Sequence, residues 1–282
     1  AFVSAMLRAA GYRVGLYTSP HLIDLNERMV IDGQPIDDIA LDASLACFQN
    51  LCKDWETPPT YFEVATATAF HAFEKALIDV GVIEVGMGGR FDATNVLSPV
   101  VCCVTPIDYD HMQYLGDTLE KIAFEKAGII KGRIPVVIAD EKPGPRGGLL
   151  NAAAERGAPS VAAGRDYHWR MSGEVMEPRL EYNGPRLRLD GVELSLAGAH
   201  QVQNAAAAAA VGELLLDRFE AFTREHIATG LRTAKWPCRL ERVLQEPPVI
   251  VDVAHNPGGM EKLVEAVPHC IAIVAVSADK DA

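Results

Sequence analysis

The chain has 282 residues, a formal net charge of -12 and an apolar fraction of 49%. The charge excludes broad nucleic-acid binding, which requires a basic face, but leaves room for anionic small ligands held by local positive charge. The apolar fraction supports a sizeable core in one large domain or two.

Taken in order, residues 1–10 carry Phe2, Val3, Met6, Leu7 and Ala10 on one helical face, with Gly11 as a stop. Residues 13–17 read as a strand running into T-S-P-H-L. Pro20 drives Ser19 out of helical backbone and fixes the loop. A hydroxyl fixed in this way can ligate Mg²⁺; read alone, the segment is a plain turn. Helices are expected over 37–55 and 60–75, the second with Phe62, Ala65, Ala69 and Phe73 on its buried face.

The most informative stretch is V-I-E-V-G-M-G-G-R-F-D-A-T-N at 82–95. A strand over 80–85 carries one carboxylate, Glu84, and glycines follow it. Ligands of parallel sheets bind beyond the carboxyl ends of strands, and glycines let backbone approach a ligand. Glu84 reads as a metal- or phosphate-site carboxylate, and residues 90–95 as a rim that handles charged substrate. The alternative is a satisfied strand-end acid beside an ordinary loop.

A strand over 100–106 leads to Asp108, Asp110 and His111, then to a helix capped by Asp117 or Thr118 and ended by Gly128. Leu119, Ile122 and Lys126 share one face of it, which puts a lysine on an apolar stripe. A neutral lysine there can take up CO₂ as a carbamate; the alternative, favoured by spacing alone, is a lysine snorkelling at a helix end.

Residues 133–140 read as a strand, 141–148 as turn, 160–196 as an antiparallel patch and 199–218 as an alanine-rich helix. Gln201 and Asn204 at its start are spaced to meet a base or ribose edge. Residues 229–240 read as a linker. A β-α-β pattern begins at 241, with a strand ending on Asp252, a loop carrying His255, a helix from Gly258 and a strand over 271–276. The six cysteines form no C-x-x-C pair or zinc spacing, and are expected to be reduced cytosolic thiols. No run reaches transmembrane length and no signal peptide is recognisable, so a cytoplasmic location is expected. The chain begins without Met, and both ends read as lying inside domains of a longer protein.

Together these stretches resemble the folylpolyglutamate synthase and dihydrofolate synthase family of Mur-ligase-like, ATP-dependent amide ligases. The resemblance rests on G-Y-R-V-G-L-Y-T-S-P-H-L at 11–22, E-V-G-M-G-G-R-F-D-A-T-N at 84–95, D-H with L-G-D-T at 110–118 and I-A-F-E-K-A-G-I at 122–129. H-Q-V-Q-N-A at 200–205, W-P-C-R-L-E at 236–241 and D-V-A-H-N-P at 252–257 add to it. The motifs are collinear over nearly the whole chain, and the 84–95 and 122–129 blocks favour this family over peptidoglycan Mur ligases.

The resemblance implies an α/β fold. A Mur-ligase-like nucleotide-binding domain over 1–232 would have a mostly parallel sheet flanked by helices plus a small antiparallel patch. The start of a second Rossmann-like domain would follow over 233–282. It implies Ser19, Glu84 and His111 as Mg²⁺ ligands, Lys126 as a carbamylated lysine and Asp92 in the substrate site. It implies Asn204 and Arg239 as ATP contacts across the cleft, with Asp252 and His255 on the cleft face of the second domain near nucleotide and glutamate. Cofactors would be ATP and Mg²⁺. Substrates would be dihydropteroate or a reduced folate with L-glutamate, acted on by a monomer with no nucleic-acid or membrane partner.

Three departures qualify the resemblance. The family's Gly-rich phosphate loop is not in the chain, which has no Gly-Lys dipeptide; the polypeptide as it stands is expected to bind ATP poorly and turn over little. Cys238 stands where relatives usually have Gly. The tail V-S-A-D-K-D lacks the glycine often found before D-K-D. Two other classes fit less well: a non-catalytic folate- or nucleotide-binding remnant, and a dinucleotide oxidoreductase, whose G-x-G-x-x-G pattern the glycines at 86, 88 and 89 do not make.

Overall fold

The computed structural model describes residues 1–254 and 257–275. The elements run α1 (Phe2–Ala9), β1 (Val14–Tyr17), β2 (Met29–Ile31), β3 (Gln34–Pro35), α2 (Asp38–Cys52), α3 (Tyr61–Lys75) and β4 (Val80–Ile83). Next come β5 (Cys102–Val104), α4 (Met112–Leu115), α5 (Leu119–Lys126), β6 (Val136–Ile138), α6 (Pro143–Glu155) and β7 (Ser160–Ala162). The antiparallel strands β8 (His168–Glu174), β9 (Glu177–Asn183) and β10 (Arg188–Glu193) precede α7 (Ala199–Leu215) and α8 (Arg224–Thr233). The described chain closes with β11 (Glu241–Leu244), β12 (Val249–Val251) and α9 (Pro257–Ala266).

Strands β1 and β4 pair in parallel, as do β5, β6 and β7, while β2 and β3 extend the β1 side as antiparallel edge strands. The fold is α/β, and the antiparallel patch is the β10-β9-β8 sheet. Three apolar clusters hold it together. One gathers α1, β1, the inner face of the antiparallel patch, α7 and α8. A second joins β5, β6 and β7 to α5 and α6. A third joins β1 and β2 to α2 and α3. The alanines of α7 are explained by the first: Ala205, Ala206, Ala209 and Ala210 are wholly buried where larger side chains would hold the layers apart.

Four expectations are corrected. Residues 143–148 are not turn but the start of α6. Pro143 occupies the first turn, where a missing N–H costs nothing, and Leu149 and Ala153 bury one face. The segment 229–233 is not linker but the end of α8. Ile227 and Leu231 are buried one turn apart, and Gly230 lets that helix lie on Met6, so this glycine serves packing rather than chain breaking. Gly128 does not cap α5, which runs on into a 3₁₀ turn over Ala127–Ile129. It is small because the backbone of Arg90 lies against it. Finally, residues 271–275 form no strand: Ile271 and Ile273 are 98% exposed, with no partner strand among the described residues.

Candidate active site

The carboxyl ends of β1 and β4 meet at one point. The Glu84 N–H donates to the Tyr17 carbonyl at 2.9 Å, carrying the parallel pairing one step past both strands. The Glu84 Oε2 then accepts the Ser19 N–H at 3.0 Å. Ser19 and Glu84, chosen from separate motifs 65 residues apart, are thus neighbours. Glu84 reaches solvent, yet protein surrounds its carboxyl closely enough that burial pushes its pKa up; the Ser19 N–H and the charge of Arg239 pull the other way. Arg239 lies in the segment after α8.

The loop after β1 is pinned by an acid of its own. Glu27 accepts the N–H groups of Leu22, Ile23 and Asp24 at 2.7, 2.9 and 2.9 Å, which holds its pKa below the usual carboxylate range. Arg28 donates to His21 Nδ1 at 2.9 Å. The stretch from Ser19 to Asp24 is therefore held by side chains rather than by a sheet.

Asp92 organises the glycine loop. Its Oδ2 accepts the Gly86 and Met87 N–H groups, each at 3.0 Å, and its Oδ1 accepts the Thr94 N–H at 2.9 Å and the Thr94 hydroxyl at 2.5 Å. All of its acceptor capacity is used within the loop, so Asp92 shapes the rim on which a substrate would rest. Arg90 and Asn95, on the same loop, bind the end of α5. The Arg90 N–H donates to the Glu125 carbonyl at 3.0 Å and its guanidinium to the Phe124 carbonyl at 3.3 Å, while Asn95 Nδ2 donates to the Gly128 carbonyl at 3.3 Å. A Cβ on Gly89 would meet the Glu125 and Lys126 carbonyl oxygens at 3.0 Å. The 84–95 and 122–129 motifs are two halves of one packed unit.

Lys126 is half-buried beside Ile122 and Ala123. Burial pulls its pKa down, and Asp110 partly opposes that. No hydrogen bond of its ammonium is found among the described residues. His111 has left-handed backbone, with φ of 49°, its N–H donating to Asp110 Oδ1 at 2.9 Å and its Nε2 3.7 Å from Asp110 Oδ2. Lys126 and the loop bearing His111 therefore share the field of Asp110. Sequence reasoning missed Asp140, which fixes that loop: 0% exposed, it accepts the Ile107 N–H at 2.5 Å and the Lys142 N–H at 2.7 Å. The signal that singled out Glu84, an acid ending an apolar strand, was present in V-V-I-A-D.

Near the start of α7, Asn204 Nδ2 donates to Gln201 Oε1 at 3.2 Å. Arg239 sits between two residues with left-handed backbone, Cys238 and Leu240, with φ of 56° and 48°. The turn Cys238 forms is the one for which a glycine was expected, and the chain adopts it without one. Asp252 ties it down, accepting the Leu240 N–H at 2.9 Å and the Ala254 N–H at 2.7 Å. His255 lies outside the described residues.

Among the described residues no three His, Cys, Asp or Glu side chains are grouped to hold a metal ion. The Ser19 hydroxyl and Glu84 carboxylate nevertheless supply adjacent hard oxygen donors, which suits a cation that takes its other ligands from water and phosphate, as Mg²⁺ does. No helix among the described residues is long and apolar enough to cross a membrane.

Residues 46–212 match the family model for the Mur ligase middle domain. A dihydrofolate synthase/folylpolyglutamate synthase of Bacillus subtilis is 38% identical over 285 residues, covering 98% of this chain and 66% of the relative. A solved folylpolyglutamate synthase in complex with AMPPCP is 35% identical, with a TM-score of 0.88 over 95% of this chain and 68% of that one. An E. coli protein solved with DHPP and ADP is 33% identical, with a TM-score of 0.85 over 95% of this chain and 61% of that one. The chain thus spans about two thirds of the length of the relatives it matches.

Proposed function

This chain belongs to the folylpolyglutamate synthase and dihydrofolate synthase family of Mur ligases, and we propose that it carries the nucleotide-activating part of a cytoplasmic ligase joining L-glutamate to dihydropteroate, to reduced folates, or to both. The observation that carries the reading is the Ser19–Glu84 pair at the ends of two parallel strands. The nucleotide-bound relatives support ATP as a substrate.

In this reaction a carboxylate oxygen of the pteroyl substrate attacks the γ-phosphorus of ATP. ADP leaves and an acyl phosphate forms. The amine of glutamate then attacks the acyl carbon, loses a proton and expels phosphate, leaving an amide. Ser19, Glu84 and His111 would hold Mg²⁺, which neutralises charge on phosphoryl oxygens. Asp92 keeps the 86–95 rim in shape for the pteroyl group. Asn204, Arg239 and Asp252, with His255, would meet nucleotide and glutamate from the far side, and closure of residues 233–282 on 1–232 would keep water from the acyl phosphate. Lys126 fits a carbamate because its ammonium is disfavoured by burial and makes no hydrogen bond among the described residues. As a carbamate it would place an anion beside the phosphoryl site. The acidic surface argues against nucleic-acid partners, and a monomer suffices because these roles all fall on one chain.

The test is glutamate-dependent ADP release by the full-length gene product, with dihydropteroate and with tetrahydrofolate supplied separately. Turnover with the first establishes the synthase, with the second polyglutamate extension, and with both a bifunctional enzyme. Turnover with neither, while ATP still binds, overturns the folate assignment in favour of a Mur-type ligase acting on another carboxylate.

A further inference from the structure

The first turn of α7 holds a chain of three polar side chains. Asn204 Nδ2 donates to Gln201 Oε1, and Gln201 Nε2 lies 3.2 Å from His200 Nε2. Gln201 is only 7% exposed, so both ends of its amide must be satisfied by protein. Its oxygen is taken by Asn204, and its nitrogen can only donate. The His200 Nε2 must therefore accept, which places the imidazole proton on Nδ1.

The imidazole is held for this task. Gly198, at φ of 105°, leaves the space the ring fills: a Cβ there would lie 2.6 Å from His200 Cε1 and 3.0 Å from Leu240 Cδ1. Leu240 belongs to the turn that carries Arg239, so the ring is wedged between the start of α7 and the segment after α8. The charged groups facing it are Lys262 on α9, Arg239, and Asp252 after β12. Burial, Lys262 and Arg239 push its pKa below the ordinary histidine value, and Asp252 opposes them.

We propose that His200 is a positioning residue whose unprotonated Nε2 sets, through Gln201, which edge of the Asn204 carboxamide faces the nucleotide. With His200 neutral, Asn204 turns its Nδ2 inward and leaves Oδ1 outward as an acceptor. A proton on Nε2 sets donor against donor. Gln201 relieves this only by turning over, and Asn204 must then turn as well, presenting its NH₂ outward instead. The inference rests on Asn204 as a nucleotide contact.

The test uses the full-length gene product and its variants His200→Gln, which keeps an acceptor, and His200→Leu, which does not. Side-chain amide resonances of Gln201 and Asn204 are followed by NMR against pH, and ADP affinity is titrated over the same range. The proposal expects both amides to shift with the His200 midpoint, below the ordinary histidine value. It expects ADP binding to weaken roughly tenfold as His200 protonates, the worth of one polar contact. His200→Leu should bind ADP about as weakly at all pH values, and His200→Gln should bind it well without the pH step. Amides that ignore the His200 titration, or a proton found on Nε2 at neutral pH, overturn it. Coupled amides in a chain that binds no ADP would instead overturn the nucleotide reading of Asn204 and leave the relay standing.

Discussion

The Asp252 carboxylate accepts the N–H of Leu240 at 2.9 Å and so ties down the turn that carries Arg239. Two consecutive demands meet there: Cys238 and Leu240 both take left-handed backbone, which L-residues adopt at a cost of about 1–2 kcal/mol each. The cost is borne because the Cys238 N–H donates to Glu241, the Val253 N–H to the Cys238 carbonyl, and the Leu240 side chain is buried.

Cys238→Gly should therefore stabilise the fold by about 1 kcal/mol, since glycine takes this backbone without a Cβ clash. Urea denaturation reads the change. A lower midpoint would show that Cys238 contributes packing that outweighs its backbone strain.

Gly128→Ala should cost about 1–3 kcal/mol, because a methyl there lands on the Arg90 backbone, which cannot retreat without breaking its bond to Glu125. Gly148→Ala, in α6 with open space at its Cβ, should raise stability by up to about 1 kcal/mol. The same substitution would thus have opposite signs at two helical glycines. Equal effects would contradict the tight mating of the 84–95 and 122–129 segments.

Glu84→Gln should melt slightly higher than the parent at neutral pH while abolishing glutamate-dependent ADP release. The folded pKa of Glu84 is raised. Its favourable contribution is complete below the ordinary glutamate range and lost as pH rises through the raised value, so at neutral pH the ionised form is a burden that glutamine removes. An unchanged or lower melting point would mean that Arg239 compensates the charge fully.

Glu27 carries the opposite sign. Its pKa is lowered by the backbone N–H groups of Asp24 and Leu22, so its contribution is present above the ordinary glutamate range and is lost as pH falls through the lowered value. Amide exchange at Leu22, Ile23 and Asp24, corrected for its intrinsic pH dependence, should lose protection across that window and be unprotected at neutral pH in Glu27→Gln. Protection that persists in the variant would assign the loop's order to other contacts.

Lys126 should form a carbamate when ¹³C-bicarbonate is supplied, giving a carbonyl resonance that Lys126→Arg lacks. Solution NMR avoids the loss of so labile a group during mass spectrometry. Absence of the line at saturating bicarbonate, with Lys126 folded in place, would exclude the modification.

Much of this arrangement was legible in the sequence. An acid ending an apolar run marked Glu84 and helical spacing put Lys126 on the apolar stripe, while Ser19 read alone as part of a plain turn and was singled out by the resemblance; the structure joins Ser19 to Glu84 and half-buries Lys126. What could not be read was which polar groups consume one another. Asp92 looked free for substrate, but the N–H groups of its own loop absorb it. Prolines and glycines at 143–148 signalled turn, because the value of an unneeded N–H in a first helical turn depends on where the helix starts. Gly128 read as a helix stop and the segment holding Gly230 as linker, because the neighbour that requires a missing Cβ lies far away in sequence.

The carbonyl end of α5 has a further consequence. A helix of this kind ends in partial negative charge that usually attracts whatever lysine is nearest. Here the Phe124, Glu125 and Gly128 oxygens are already claimed by Arg90 and Asn95. Lys126 is thereby relieved of the commonest occupation for a lysine in its position, and among the described residues its amine makes no hydrogen bond beside the loop of Asp110 and His111. The glycine-rich loop, by taking over the helix end, frees the lysine from it.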